Sequence, residues 1–314
     1  MTMKIRNKLI CGTLAAVMLL GGCKENTTSG GSYVAPGDVT DSASNGGANS
    51  TAGYTIESVK PKEIDGFRGN LEDVAPKSGD LIATFEIEGY GTIKAVLFPE
   101  AAPVGVENFQ KLCDAGFYKG LKIHRVVKDF MFQGGSTNGN GTGGDALVNG
   151  GKFSIETAQN ARHFYGALCY ANAGAENNST QFYIVNNKAP QDLATAIPAD
   201  NLTAQVAANL KELNDNASTV DKETADAYYA QYVKYYQNMA DFAKYASDSI
   251  TARYKEKGGT PSLDGNYTVF GQVYEGFDVI DTLSAAEVTD NGSGEKSKPV
   301  KDIIIKNVTV STFE

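Results

Sequence analysis

The chain has 314 residues, 41% hydrophobic and 21% charged, with a formal net charge of −9. This is an ordinary globular mixture, long enough for one large domain or two small ones. Its acidity argues against nucleic acid as a partner and against a basic membrane-binding face, and no apolar run beyond the N-terminus is long enough for a transmembrane helix.

The N-terminus carries Lys4, Arg6 and Lys8, followed by the apolar run Leu9 to Leu20. These are the n-region and h-region of a secretory signal. The run closes on Leu20-Gly21-Gly22-Cys23, which resembles the lipobox of bacterial lipoproteins. That resemblance implies a signal peptide over 1–22 and a lipidated Cys23 as the new N-terminus. It also implies anchoring at the extracytoplasmic face of a bacterial cell membrane. A single acyl chain holds a protein weakly, so stable anchoring needs more than one chain on Cys23. Without the signal, 25 basic residues face 37 acidic ones, a net charge of −12.

Residues 23–53 are rich in Gly, Ser, Thr, Asn and Ala and read as a flexible linker. Residues 54–79 form an N-terminal extension with scattered apolar positions and no clear period. Regular structure begins near Asp80. Leu81, Ala83, Phe85 and Ile87 alternate with polar positions, Gly89-Tyr90-Gly91 turns, and Ile93, Ala95 and Leu97 resume, a β-hairpin signal. Pro103 opens a helix through Val106, Phe109 and Cys113, and Gly116 ends it. Strand-like runs follow at Lys122–Val127, Met131–Gln133, Ala167–Ala171, Phe182–Val185, Thr268–Tyr274 and Ile303–Val310, with a short helix at Phe277–Ser284. Many short strands with two helices point to a closed β-barrel with capping helices.

Residues 189–260 differ in style. Tyr228, Tyr232, Tyr235, Met239, Phe242 and Ala246 make one apolar stripe at helical spacing, continued by Ile250 and Tyr254 and stopped by Gly258-Gly259. With a shorter helix near Leu202–Leu213, this predicts an inserted helical hairpin whose stripe is a packing seam. Of the four cysteines, Cys11 leaves with the signal and Cys23 takes lipid. Cys113 falls on a helix and Cys169 on a strand. A disulfide is permissible outside the cytoplasm, but nothing in the sequence brings them together, and two buried free thiols are the preferred reading.

The segment Ile123 to Gly135 carries the chemistry. Arg125 sits inside an apolar strand-like run, and Gln133 follows eight residues later. Unpaired polar groups are expensive in such a setting, which suggests a site. Four separated blocks accompany it: Phe117-Tyr118 through His124-Arg125 to Gly135; Gly139 to Gly144; Ala171-Asn172-Ala173-Gly174 with Gln181 to Ile184; and Leu263-Asp264-Gly265 with Val269-Phe270-Gly271 and Glu275 to Ile280. Their order and spacing resemble cyclophilin-type peptidyl-prolyl isomerases, over 80–188 and 261–312, with the domain carried to 314.

The resemblance implies a mainly β fold, a closed eight-stranded antiparallel barrel capped by two helices, interrupted by the helical insertion. It implies isomerisation of X-Pro bonds in proline-containing polypeptides by a monomer that needs neither metal nor cofactor. Arg125 takes the catalytic role, stabilising the twisted amide. Phe130, Met131, Tyr183 and Leu263 match the proline-pocket wall, and Gln133 orients Arg125 and meets the substrate carbonyl. Asn172, between Ala171 and Ala173, holds substrate backbone, and Gln181 and Gly141 line the groove. His124 is a packed histidine or a groove residue. Tyr267 stands where the family usually has a pocket histidine, and Tyr183 where it has phenylalanine, placing polar tips near the pocket. Ser262 stands at a frequent tryptophan position, and the chain has no Trp, which implies weak cyclosporin binding with catalysis retained.

Rival readings are weaker. Gly139–Gly144 lacks the Lys-Ser/Thr ending of a phosphate loop. Cys–His catalysis has only His124 and His163 to draw on, and zinc ligands at suitable spacing are missing. The alternative from another class is a chaperone or binding module of the same fold with little turnover. The insertion returns just before Leu263, so it is expected to stand beside the groove.

Overall fold

The computed structural model describes residues 53–172, 177–216 and 220–314. The signal peptide, Cys23, nearly all of the linker, and Ala173 lie outside the described residues. The alternating run from Leu81 forms β1 (Leu81–Ile87), which folds back on β2 (Gly91–Leu97). The turn between them uses Gly89 at φ 75°, a left-handed conformation that glycine adopts without penalty. Then come β3 (Lys122–Val127), β4 (Met131–Gly134), β5 (Ala167–Tyr170), β6 (Phe182–Val185) and β7 (Val269–Glu275). A short hairpin of β8 (Val288–Asp290) and β9 (Lys296–Pro299) precedes β10 (Ile303–Thr312). Eight strands close into an antiparallel barrel in the order β1-β10-β3-β4-β6-β5-β7-β2, while β8 and β9 form their own two-stranded sheet.

Every second side chain points into the barrel. Phe85, Ile93, Phe132, Leu168, Phe182, Ile184 and Phe270 fill it, and all are buried. Helix α1 (Pro103–Asp114) starts on Pro103, whose missing N–H costs nothing there, and seals the barrel with Val106, Phe109 and Leu112. The second capping helix, Phe277–Ser284, contributes Val279, Ile280 and Leu283. Cys113 lies in this interior and Cys169 in a second cluster on the outer face of the barrel, and both are free and buried.

The insertion contains α2 (Leu193–Ala196), α3 (Ala199–Asn216), α4 (Lys222–Tyr228), a π-helical turn at Tyr229–Lys234, α5 (Tyr235–Lys244) and α6 (Asp248–Lys257), which makes Phe277–Ser284 α7. The expected hairpin is α3 laid against the π turn and α5, with Asn209 Nδ2 donating to the Tyr232 carbonyl at 3.1 Å. The stripe is not one continuous helix. It breaks after Lys244, and Ser247 restarts it by accepting from the Ile250 N–H at 3.3 Å. No helix of the described residues is long and apolar enough to cross a membrane.

Residues 54–79 form no regular element, but they join the parts. Asn214 clasps the Tyr54 backbone, Ser58 and Val59 bond Asp241, and Asp73 pairs with Arg253 and Lys257, all on the insertion. Ile64 and Phe67 between these points, and Val74 just after them, pack on the outer face of the barrel.

Candidate active site

The strand register builds the site. Arg125 on β3 pairs with Gln133 on β4, Gln133 with Tyr183 on β6, and Tyr183 with Cys169 on β5. Directly paired residues share a face, so these four make one row across the outside of the barrel. The adjacent row, Val126, Phe132, Ile184 and Leu168, faces the interior. A register shift between Ile123 and Arg125 makes this possible. His124 is the extra residue of that bulge, so Ile123 stays in the core while Arg125 turns outward. Bulges re-aim side chains in this way beside functional sites.

Beside the row lies an apolar surface of Met131, Leu263, Tyr267 and Ala171, with partly buried Phe130 against it. Gln133 links the polar side. Its Oε1 accepts from Arg125 Nη1 at 3.5 Å, and its Nε2 donates to Gln181 Oε1 at 3.0 Å. Gln181 Nε2 then donates to the Gly141 carbonyl at 2.9 Å. Asn172 Nδ2 donates to the Asn266 carbonyl at 3.4 Å, tying the end of β5 to the loop that carries Tyr267. Thus twelve of the thirteen expected groove residues are described, and eleven of them connect through this row, chain and surface; the other, His124, is the bulged neighbour of Arg125.

One expectation changes. The Tyr183 hydroxyl is not at the pocket rim. It points inward to His163 Nε2 at 2.9 Å, and the side chain is fully buried. An inward hydroxyl needs a partner, and a buried network supplies it. His163 Nδ1 lies 2.8 Å from Asp264 Oδ1, and Asp264 Oδ2 accepts from Arg162 Nη1 at 3.0 Å and from the Tyr254 hydroxyl at 2.7 Å. Burial opposes ionisation of Asp264, but Arg162, His163 and Tyr254 together hold its carboxyl below the usual range. Tyr267, by contrast, lies within range of the arginine's charge. Burial pushes its phenol up to about 12 while the charge of Arg125 opposes the shift, and its ring stands edge-on to Tyr183 at 6.0 Å.

Three further contributors carry no local signal in the sequence. Glu295, from the β8–β9 hairpin, grips Arg125 at two points, both 2.7 Å. Tyr235 of the insertion packs against the same apolar surface and donates from its hydroxyl to the Ser262 carbonyl at 3.1 Å. Tyr254, also from the insertion, anchors Asp264 behind Leu263. Both tyrosines belong to the helical stripe, which by itself says only that they pack.

The family model for cyclophilin type peptidyl-prolyl cis-trans isomerases matches residues 82–208 and 235–310. A Staphylococcus aureus protein named "putative peptidyl-prolyl cis-trans isomerase" is 33% identical over 221 residues, covering 70% of this chain and 87% of that protein. The chain belongs to the cyclophilin-type peptidyl-prolyl isomerases. A Staphylococcus epidermidis cyclophilin relative with the same printed name is likewise 33% identical over 220 residues. A crystal structure of a Cryptosporidium parvum cyclophilin aligns with a TM-score of 0.48 and 21% identity, covering 75% of this chain and 99% of that one. The family match resumes at Tyr235, so the internal gap in the match, residues 209–234, lies wholly within the insertion of this cyclophilin.

Proposed function

We propose that this cyclophilin isomerises X-Pro bonds in secreted or surface proteins, with Arg125 as the catalytic residue and Cys23 as its lipid anchor. The observation that carries the catalytic reading is an aimed, paired arginine beside an apolar surface. Arg125 is 8% exposed, held by Glu295 and Gln133, at the edge of the Phe130, Met131, Leu263 and Tyr267 surface.

Rotation about a peptide bond meets a barrier of ~18–20 kcal/mol because the C–N bond has partial double-bond character. Twisting the bond localises the lone pair on the prolyl nitrogen. A cation that donates a hydrogen bond to that nitrogen stabilises the twisted state more than the planar one, which is what acceleration requires. Arginine suits this role because it stays charged at any relevant pH. The apolar surface takes the proline ring, and Gln133, Gln181 and Asn172 supply polar contacts for substrate backbone. An acceleration of ~10⁵ corresponds to about 7 kcal/mol of differential binding. Ser262 leaves its wall to Tyr235, so cyclosporin is expected to bind weakly.

The test is a prolyl isomerase assay on a short X-Pro peptide. Wild type should accelerate isomerisation, and Arg125→Ala should lose about a hundredfold or more in kcat/KM, the scale seen when an aimed donor is removed. If both are equally inactive yet both suppress aggregation of an unfolded client, the chain is a binding module instead. Cys23→Ser should move the protein from the membrane to the soluble fraction.

A further inference from the structure

A guanidinium has two donor edges besides its outer one, and in Arg125 they are not equally engaged. Glu295 takes the Nε edge in a fork, Oε2 from Nε and Oε1 from Nη2, each at 2.7 Å. Gln133 meets only Nη1, and at 3.5 Å. Because the fork uses the Nε N–H and the Nη2 N–H beside it, the second Nη2 N–H, on the outer edge, points away from Glu295. A single hydrogen bond leaves the guanidinium plane free to rotate. A fork fixes both the plane and the direction of the outer edge.

We infer that Glu295 is a positioning residue for the isomerase, holding Arg125 so that its outer edge is already aimed at the prolyl nitrogen. The inference rests on the catalytic reading of Arg125 given above. The carboxylate is itself built in. Strand β9 lies against β3. In the loop joining β8 to β9, the Asn291 N–H donates to the Glu295 carbonyl at 2.9 Å, and Asn291 Nδ2 reaches Glu295 Oε2 at 3.4 Å and Ser297 Oγ at 3.3 Å. Asp290 Oδ1 accepts from the Gly292 N–H at 2.6 Å. Gly292 and Gly294, at φ 91° and 87°, allow the chain to turn within five residues. The side chains of Arg125 and Glu295 are 10% and 22% exposed, so the pair is shielded from most solvent competition. Burial resists ionisation of Glu295, but its hydrogen bonds from Arg125 and Ser297 hold the carboxyl below its ordinary value.

Two effects compete. A carboxylate at this distance offsets part of the charge of the guanidinium. It also removes the reorganisation an unheld arginine would need when the amide twists. Preorganised donors owe their effect to that second term, which sets the expected sign.

The experiment compares kcat and KM on a short X-Pro peptide for full-length wild type, Glu295→Gln, Arg125→Lys and the double variant. Glu295→Gln keeps the shape of the side chain and should unfold at nearly the wild-type temperature. Its kcat should fall about tenfold with KM within about twofold, the scale of removing a group that orients a reacting one. In the Arg125→Lys background, where no forked pair forms, the same change should leave kcat unaltered. Asn291→Ala, which loosens the carboxylate from behind, should shift kcat in the same direction by less. An unchanged or raised kcat for Glu295→Gln, a loss confined to KM, or an equal loss in the Arg125→Lys background each overturns the inference. Wild-type activity in Arg125→Ala instead removes the reading of the arginine itself, so the two failures are distinct.

Discussion

His124 shows how the bulge that aims Arg125 also creates a titrating liability. Burial first, and then the charge of Arg125, bring its imidazole down to about 4 from a usual 6.5. The folded state therefore binds the proton less readily than the unfolded state. This contribution to stability is fully present above pH 6.5 and is lost as pH falls toward 4. Between pH 6.5 and 5 the loss should be about 1.6 kcal/mol, because one proton taken up only on unfolding costs about 1.4 kcal/mol of stability for each pH step of one, and the unfolded imidazole is half protonated at the start of that range. Thermal unfolding across that range should show a falling midpoint in wild type and a flatter profile in His124→Gln. Tyr183 makes the opposite case, a polar atom already satisfied. Tyr183→Phe restores the usual family residue but leaves His163 Nε2 without its 2.9 Å partner. The expected cost is about 1–3 kcal/mol in urea unfolding with peptide turnover retained, because the hydroxyl faces away from the groove. Arg125, Phe130, Met131 and Gln133 were legible in the sequence because they fall within one short segment, where an arginine and a glutamine in an apolar run accompany blocks that resemble the family. Glu295 was not. It lies 170 residues from Arg125 in sequence, in a Gly- and Ser-rich turn where an acidic side chain ordinarily reads as solvated.

At the scale of elements, the insertion packs on the outside of the segment that carries Leu263 and Tyr267. Helix α5 lies against residues 261–267, with Asn238 Nδ2 donating to Asn266 Oδ1 at 3.1 Å and Asn266 Nδ2 to the Tyr235 carbonyl at 3.0 Å. The approach is so close that only glycine fits at 265. Its φ is 80°, and a Cβ there would meet Phe242 Cδ2 at 2.7 Å and the Asn238 carbonyl at 3.1 Å. Gly265→Ala should therefore combine backbone strain with overpacking, costing about 1–3 kcal/mol. Because the strain falls on the loop carrying Leu263 and Tyr267, KM for the peptide should rise more than kcat falls. Replacing residues 190–260 with a short loop should go further, since Asp264 loses Tyr254 and the apolar surface loses Tyr235. Unchanged activity on peptides and on folded proteins would show the wall to be self-supporting. That the insertion lies next to Leu263 was legible from where it returns in the sequence, just before that residue. The break at Ser247 was not, because Tyr228 to Tyr254 keeps a helical spacing straight through it and a tertiary turn leaves the stripe intact.

Barrel, insertion and extension are joined by buried contacts, which begin well before the first strand. Asn70 shows why. It is fully buried, and its side chain accepts from the Arg162 N–H at 3.0 Å and donates to the Arg162 carbonyl at 2.8 Å and to Gln272 Oε1 at 2.9 Å. Arg162 in turn reaches Asp264, so this stretch of irregular chain supports the network behind the pocket. Nothing periodic marks residues 54–79, because Ile64, Phe67 and Val74 meet the barrel from an irregular path and leave neither a 2-residue nor a 3.6-residue pattern. Their order depends on partners far away in sequence. Asn70→Ala should leave buried backbone groups of Arg162 unpaired, at about 1–3 kcal/mol. A chain starting at residue 80 loses that bonding, the apolar cover of Phe67 and its neighbours, and the Asp73 pairing with Arg253. Together these should exceed about 4 kcal/mol, which for a chain of this size corresponds to a fall in Tm of roughly 7 °C or more. Calorimetry of chains beginning at 53 and at 80 makes the comparison. Equal midpoints would mean that the barrel and insertion hold together without the extension, and the folded unit would then begin at β1.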